Sequence, residues 1–152
     1  MPGSDTGNQT KKKSKNHMVT IQSLYAGSLR TEATHLRSGT KLITDAPVDN
    51  QGKGEFFSPT DLVAAALGSC MITIIGIAAR SQGFSIEGAT WETTKVMADN
   101  PRRISEIIVN LTFPPNNYTD QQKRLIEHIT RTCPVAFSLH PDLKQTVKVN
   151  YL

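Results

Sequence analysis

Residues 58–83, SPTDLVAAALGSCMITIIGIAARSQG, decide the fold. Ser58 is a favoured N-cap, Pro59 suits the first helical position, and Asp61 stands three residues after the cap. An 18-residue apolar run, Leu62 to Ala79, follows, with Arg80 in the last turn and Gly83 as the stop. The run approaches the length of a membrane span. Gly68, Ser69, Cys70, Thr73 and Gly76 dilute it, no second span accompanies it, and strand-like segments flank it. It therefore reads as a central helix buried under sheet, with small residues that let another helix or a second chain come close.

Outward from this helix the chain falls into short elements. Residues 19–45 read as a β-hairpin, with VTIQSLYAGSLRTEATH as one long strand, Arg37-Ser38-Gly39 as the turn and TKLITD as the return. APVDNQGKGEFF is a loop. Residues 84–113 form a second hairpin about the turn ADNPRR, and Ile107, Val109, Leu111 and Phe113 alternate onto one face. Thr119 and Gln122 make a capping box that opens a helix to about Thr132. Pro134 breaks it, VAFSLH gives a short further helix, and TVKVNYL closes as a strand. The order ββ-α-ββ-α(α)-β predicts an α+β domain of antiparallel strand pairs.

Composition narrows the function. At 152 residues the chain holds one domain, 18–152, behind a polar tail, 1–17, that reads as disordered and as a candidate cloning remnant. Lys11, Lys12, Lys13 and Lys15 in that tail account for the net charge of +4. The folded part is near neutral, which argues against a nucleic-acid surface. Two cysteines make no secreted disulfide framework, and the N-terminus has no apolar signal region, so a cytoplasmic protein is expected, without membrane attachment. No phosphate-binding glycine loop, dinucleotide fingerprint or GxSxG motif occurs. His128 and His140 stand in no metal-ligand spacing, so no metal or organic cofactor is expected. Trp91 reads as a sheet residue packed over a helix.

Chemistry rests on Cys70, mid-helix, and Cys133, directly before Pro134 and 63 positions later. Thiol chemistry needs the thiolate, and an unperturbed thiol with a pKa of about 8.5 is mostly protonated at neutral pH. Cys70 gains little from a helix dipole. Cys133, as cap of the short helix, faces free backbone N–H groups, so local sequence favours Cys133 as the more acidic thiol. A thiolate at Cys70 requires a neighbouring guanidinium, itself held by a carboxylate.

SPTDLVAAALGSCM followed by TCPVAFSL resembles the osmotically inducible protein C / organic hydroperoxide resistance (OsmC/Ohr) superfamily, over about residues 20–152. PVAFSLHP lacks the aromatic common in the hydroperoxide branch, so the chain looks closer to a less characterised OsmC-like branch. The resemblance implies an intertwined homodimer in which curved antiparallel sheets wrap long central helices. It implies a thiol-dependent peroxidase acting on small organic hydroperoxides, with Cys70 attacking the peroxide, Cys133 resolving the sulfenic acid, and an external dithiol, such as a lipoylated protein, as reductant. This reverses the local ranking of the two thiols. The family's arginine from the first hairpin matches Arg30 best and Arg37 second. Where its peroxidases carry a glutamate, ten residues before the helical cysteine, this chain has Thr60. Asp61 and Glu55 are the candidate replacements. The alternative reading, motivated by Thr60, is a non-catalytic or redox-sensing OsmC-like protein that binds a small apolar ligand.

Overall fold

The computed structural model describes residues 17–152, so the expectation for the tail lies, for residues 1–16, outside the described residues. Two three-stranded sheets and three α-helices follow in chain order. The first sheet has the order β1 (Ile21–Gly27), β2 (Arg30–His35), β3 (Lys41–Asp45), antiparallel throughout. Helix α1 (Pro59–Gln82) comes next. The second sheet is built from β4 (Thr90–Ala98), β5 (Arg103–Phe113) and β6 (Lys144–Tyr151), with α2 (Asp120–Ile129) and α3 (Pro134–Ser138) between β5 and β6.

The α+β class holds, with two corrections in detail. The segment read as one strand over residues 19–35 is two strands. Gly27, Ser28 and Leu29 all take positive φ (88°, 53° and 61°), and Gly27 pairs with Arg30 across a two-residue turn. Left-handed backbone at both central residues matches the right-handed twist of the flanking strands. The second correction is β6, which runs parallel to β5. A parallel neighbour needs a crossover, and α2 with α3 supplies it.

Helix α1 forms as its caps dictate. Ser58 Oγ accepts from Asp61 N at 3.1 Å, Asp61 Oδ2 accepts from Ser58 N at 2.8 Å, and Gly83 closes the C-terminus at φ 74°. One face, Leu67, Met71, Ile75 and Ala79 among others, is buried against the alternating residues of β5, where Ile107, Val109, Leu111 and Phe113 are fully enclosed. Helices α2 and α3 cover the same core through Ile126, Ile129 and Ala136. By length and composition α1 is apolar enough to cross a membrane. Here it is the core helix of a folded α+β domain. Its opposite face, Ala66, Ser69, Thr73 and Ile77, is exposed in the single chain. Strand β1 is likewise exposed along nearly its whole length, including Ile21, Leu24 and Tyr25.

Gly68 sets the distance between α1 and the second sheet. A Cβ there would lie 2.7 Å from Trp91 Nε1, 2.8 Å from Trp91 Cδ1 and 3.1 Å from Thr93 Oγ1. Trp91 is thus a sheet residue packed over the helix, as its sequence setting suggests.

Candidate active site

The two thiols are neighbours. Cys70 sits half-buried on α1, and Cys133 is fully buried at the N-cap of α3. Pro134 at the first helical position fixes this cap, and Cys133 Sγ accepts from Ala136 N at 3.4 Å. Both cysteines are free, and Cys70 stands near enough to Cys133 to act on its ionisation.

Burial pushes the Cys133 thiol above its ordinary pKa. The Ala136 N–H pulls the other way, and the neighbouring Cys70 adds to the rise. The expectation that helix capping makes Cys133 acidic is therefore corrected. One long N–H···S contact does not offset taking a thiolate out of water. Cys133 therefore holds its proton more firmly than an ordinary thiol.

Arg30 projects from β2 into a cage of carboxylates. Its Nε and Nη2 donate to Asp45 Oδ1 and Oδ2 at 2.7 and 2.8 Å, a bidentate pair across directly opposed residues of β2 and β3. Nη2 also donates to Glu55 Oε2 at 2.5 Å. The Phe56 ring lies 4.7 Å from the guanidinium carbon, within cation–π range. These partners raise the Arg30 pKa, with Asp45 contributing most. The hydrogen bonds from Arg30 hold Asp45 below the usual carboxylate range against the opposing effect of burial. Asp45 is 2% exposed and Glu55 58% in their side chains, so the two carboxylates differ in kind.

Asp61 is occupied elsewhere. It caps α1 and pairs with Lys95 Nζ at 2.8 Å. Burial pushes its pKa up, but the hydrogen bonds from Lys95 and Ser58 outweigh this and leave it lowered. Lys95 also donates to Thr60 Oγ1 at 2.8 Å and Ser58 Oγ at 3.1 Å, so the Thr60 side chain belongs to a lysine cluster. Arg37 is exposed at the β2–β3 turn.

Of the residues singled out from sequence, the structure joins Cys70 to Cys133 and Arg30 to Glu55. Among the described residues no hydrogen bond or ion pair links Arg30 to Cys70 or to Asp61. Sequence reasoning missed Asp45 and Lys95. Lys95 was legible in principle, since it alternates on β4 with Trp91 and Thr93 toward α1. Asp45 carried no signal beyond ending a strand. Among the described residues no group of three or more His, Cys, Asp or Glu is placed to hold a metal ion. A groove of about 560 Å³, lined by Phe57, Asp61, Ala65, Ser69, Trp91 and Lys95, runs along α1 and reaches the residue next to Cys70.

Known proteins share this fold. The family model for OsmC-like protein matches residues 52–148. A Psychrobacter arcticus 273-4 structure, named for an osmotic stress induced and detoxification response, is 53% identical with a TM-score of 0.84, over 88% of this chain and 96% of that one. An OsmC-like protein from Mycoplasma pneumoniae superposes with a TM-score of 0.71 at 16% identity, over 90% and 99% of the two chains. An organic hydroperoxide resistance protein OsmC from Legionella pneumophila does so with a TM-score of 0.66 at 17% identity, over 88% and 98%. At these lower identities the likeness is one of fold. No curated protein sequence matches the chain. With the family model spanning most of the domain and a relative at 53% identity over nearly its full length, the chain belongs to the OsmC-like protein family of the OsmC/Ohr superfamily.

Proposed function

We propose that the protein is a thiol-dependent peroxidase that reduces organic hydroperoxides through Cys70 and Cys133. The observation that carries this reading is that two free thiols, remote in sequence, lie beside each other in the fold. The Cys70 thiolate attacks the distal oxygen of ROOH. The O–O bond breaks, ROH leaves with a proton, and Cys70 becomes a sulfenic acid. Cys133 then attacks that sulfur, releasing water and forming the disulfide. An external dithiol reduces the disulfide, returning both thiols and leaving as its own oxidised form. A lipoylated protein fits that role, and a reducing cytoplasm suits two free thiols. The Legionella relative's name, organic hydroperoxide resistance protein, agrees with this chemistry. The groove along α1, with Trp91 and Phe57 on its walls, suits the organic group of the peroxide.

The working unit is a homodimer on this reading. Cys70 lies eleven residues after Pro59, which places it roughly 16 Å along the helix axis from the first turn. Arg30 is anchored by residues that precede that turn. A second copy crossing α1 brings Arg30 of one protomer toward Cys70 of its partner. The exposed apolar residues on β1, with Phe56, Phe57 and Ile77, are the surface such a copy covers. The small residues Ala66, Ser69 and Thr73 let helices approach closely.

The test is consumption of cumene hydroperoxide with a dithiol reductant. Wild type turns over, Cys70→Ser does not, and Cys133→Ser stops after one sulfenic acid per chain. Stoichiometric peroxide without reductant yields a linked Cys70/Cys133 peptide lighter by two hydrogens. Turnover in Cys70→Ser equal to wild type refutes the proposal.

A further inference from the structure

We infer that Asp45 is the positioning residue for Arg30, supplying from strand β3 the carboxylate that Thr60 does not supply from helix α1. This deepens the peroxidase reading and rests on it. Three observations converge. The start of α1 has no carboxylate to spare, because Thr60 Oγ1 accepts from Lys95 and Asp61 is divided between the Ser58 N–H and the same lysine. Asp45 grips Arg30 through both oxygens from a buried position, while Glu55 makes one contact from an exposed loop. Asp45 is itself fixed, since its Oδ2 accepts from Glu55 N at 3.1 Å and its own N–H donates to Phe57 O at 3.1 Å.

The geometry aims the guanidinium. A bidentate carboxylate on the Nε/Nη2 edge, with the guanidinium carbon 4.7 Å from the Phe56 ring centre, holds the fork from two sides. Among the described residues no partner takes Nη1. Asp45 therefore holds the guanidinium by one edge and leaves Nη1 to donate to the thiolate or to the peroxide oxygen. Glu55, on the same Nη2, adds a second negative charge that solvent screens.

The experiment compares kcat/KM for cumene hydroperoxide in Asp45→Asn, Asp45→Glu, Glu55→Gln, Arg30→Met and the double variant Arg30→Met/Asp45→Asn, with Glu32→Gln as control. Glu32 pairs with Lys41 on the same sheet. Asp45→Asn loses about 10- to 100-fold, the scale of a misplaced catalytic group. Asp45→Glu, which keeps the charge, loses less. Glu55→Gln loses less than Asp45→Asn, and Glu32→Gln stays near wild type. The double variant leaves no unpaired buried charge, and it turns over as Arg30→Met does alone, because the two residues act as a unit. A folded Asp45→Asn with wild-type kcat/KM overturns the inference. So does equal loss in Asp45→Asn and Asp45→Glu, a larger loss in Glu55→Gln, or additive losses in the double variant. If wild type itself consumes no peroxide, the peroxidase reading fails on its own. The positioning is then read from iodoacetamide alkylation of Cys70 in a Cys133→Ser background. Asp45→Asn slows that alkylation, and an unchanged rate overturns the inference.

Discussion

Replacing Gly68 by alanine tests how closely α1 and β4 approach beside the thiols. Two effects oppose. In a helix interior alanine is favoured over glycine by about 1 kcal/mol. Against this, the new Cβ sits 2.7 and 2.8 Å from the indole of Trp91 and 3.1 Å from Thr93 Oγ1. Carbon contacts relax only near 3.5–4.0 Å, so the ring must retreat by about 1 Å. Trp91 is paired to Leu111 in the ladder and cannot translate without its strand. Overpacking of this kind costs about 1–3 kcal/mol. The net is a destabilisation of about 0–2 kcal/mol, which for a domain of this size lowers Tm by about 0–8 °C. Trp91 is the sole tryptophan, so intrinsic fluorescence reports the ring directly. Urea unfolding and emission are measured together: the midpoint falls and the emission shifts. A Gly68→Ala protein that gains about 1 kcal/mol with unaltered emission refutes the close approach.

Three further outcomes follow from the same geometry. Ser58→Ala removes the cap that accepts from Asp61 N and Lys95 Nζ, and urea unfolding shows a loss of about 0.5–2 kcal/mol; an unmoved midpoint refutes the cap. Because burial raises the Cys133 pKa, the folded chain holds a proton that the unfolded chain releases, so this stability is present below the ordinary thiol pKa and lost as pH rises through the folded value. Unfolding free energy therefore falls above about pH 8.5, and falls less in Cys133→Ala; identical pH profiles refute the assignment. Ile77→Glu puts a charge on the exposed face of α1, and sedimentation shows wild-type dimers giving way to monomers; a monomeric wild type refutes the dimer.

What was legible in the sequence was written in local signals. Ser58, Pro59, Asp61 and Gly83 mark α1 to within a residue, and Thr119 with Gln122 opens α2 as expected, because capping chemistry acts within one turn. The β1–β2 turn was hidden because Ser28-Leu29 replaces the Asn-Gly or Asp-Gly that usually marks left-handed backbone; Leu29 N donating to Tyr25 Oη supports it instead. The direction of β6 was unreadable for another reason. Strand sense depends on where a crossover returns the chain, and alternation is the same either way. Position 45 illustrates the limit for the site. Its register opposite Arg30 follows from the β2–β3 turn that the sequence marked, yet an aspartate ending a strand carries no local sign of a guanidinium partner.

The buried thiol gives the clearest case of tertiary structure reversing a local argument, and the reversal has a mechanistic consequence. A helix cap alone would have made Cys133 the nucleophile. Enclosed by core residues beside Cys70, it holds its proton more firmly than an ordinary thiol. On the peroxidase reading this orders the steps. While Cys70 is a thiolate, its charge opposes ionisation of Cys133, so the second sulfur does not compete for peroxide. Once Cys70 has become a sulfenic acid that repulsion is gone, and Cys133 ionises more readily at the moment its thiolate is needed. Oxidation of the first thiol thus activates the second, without movement of any charged side chain.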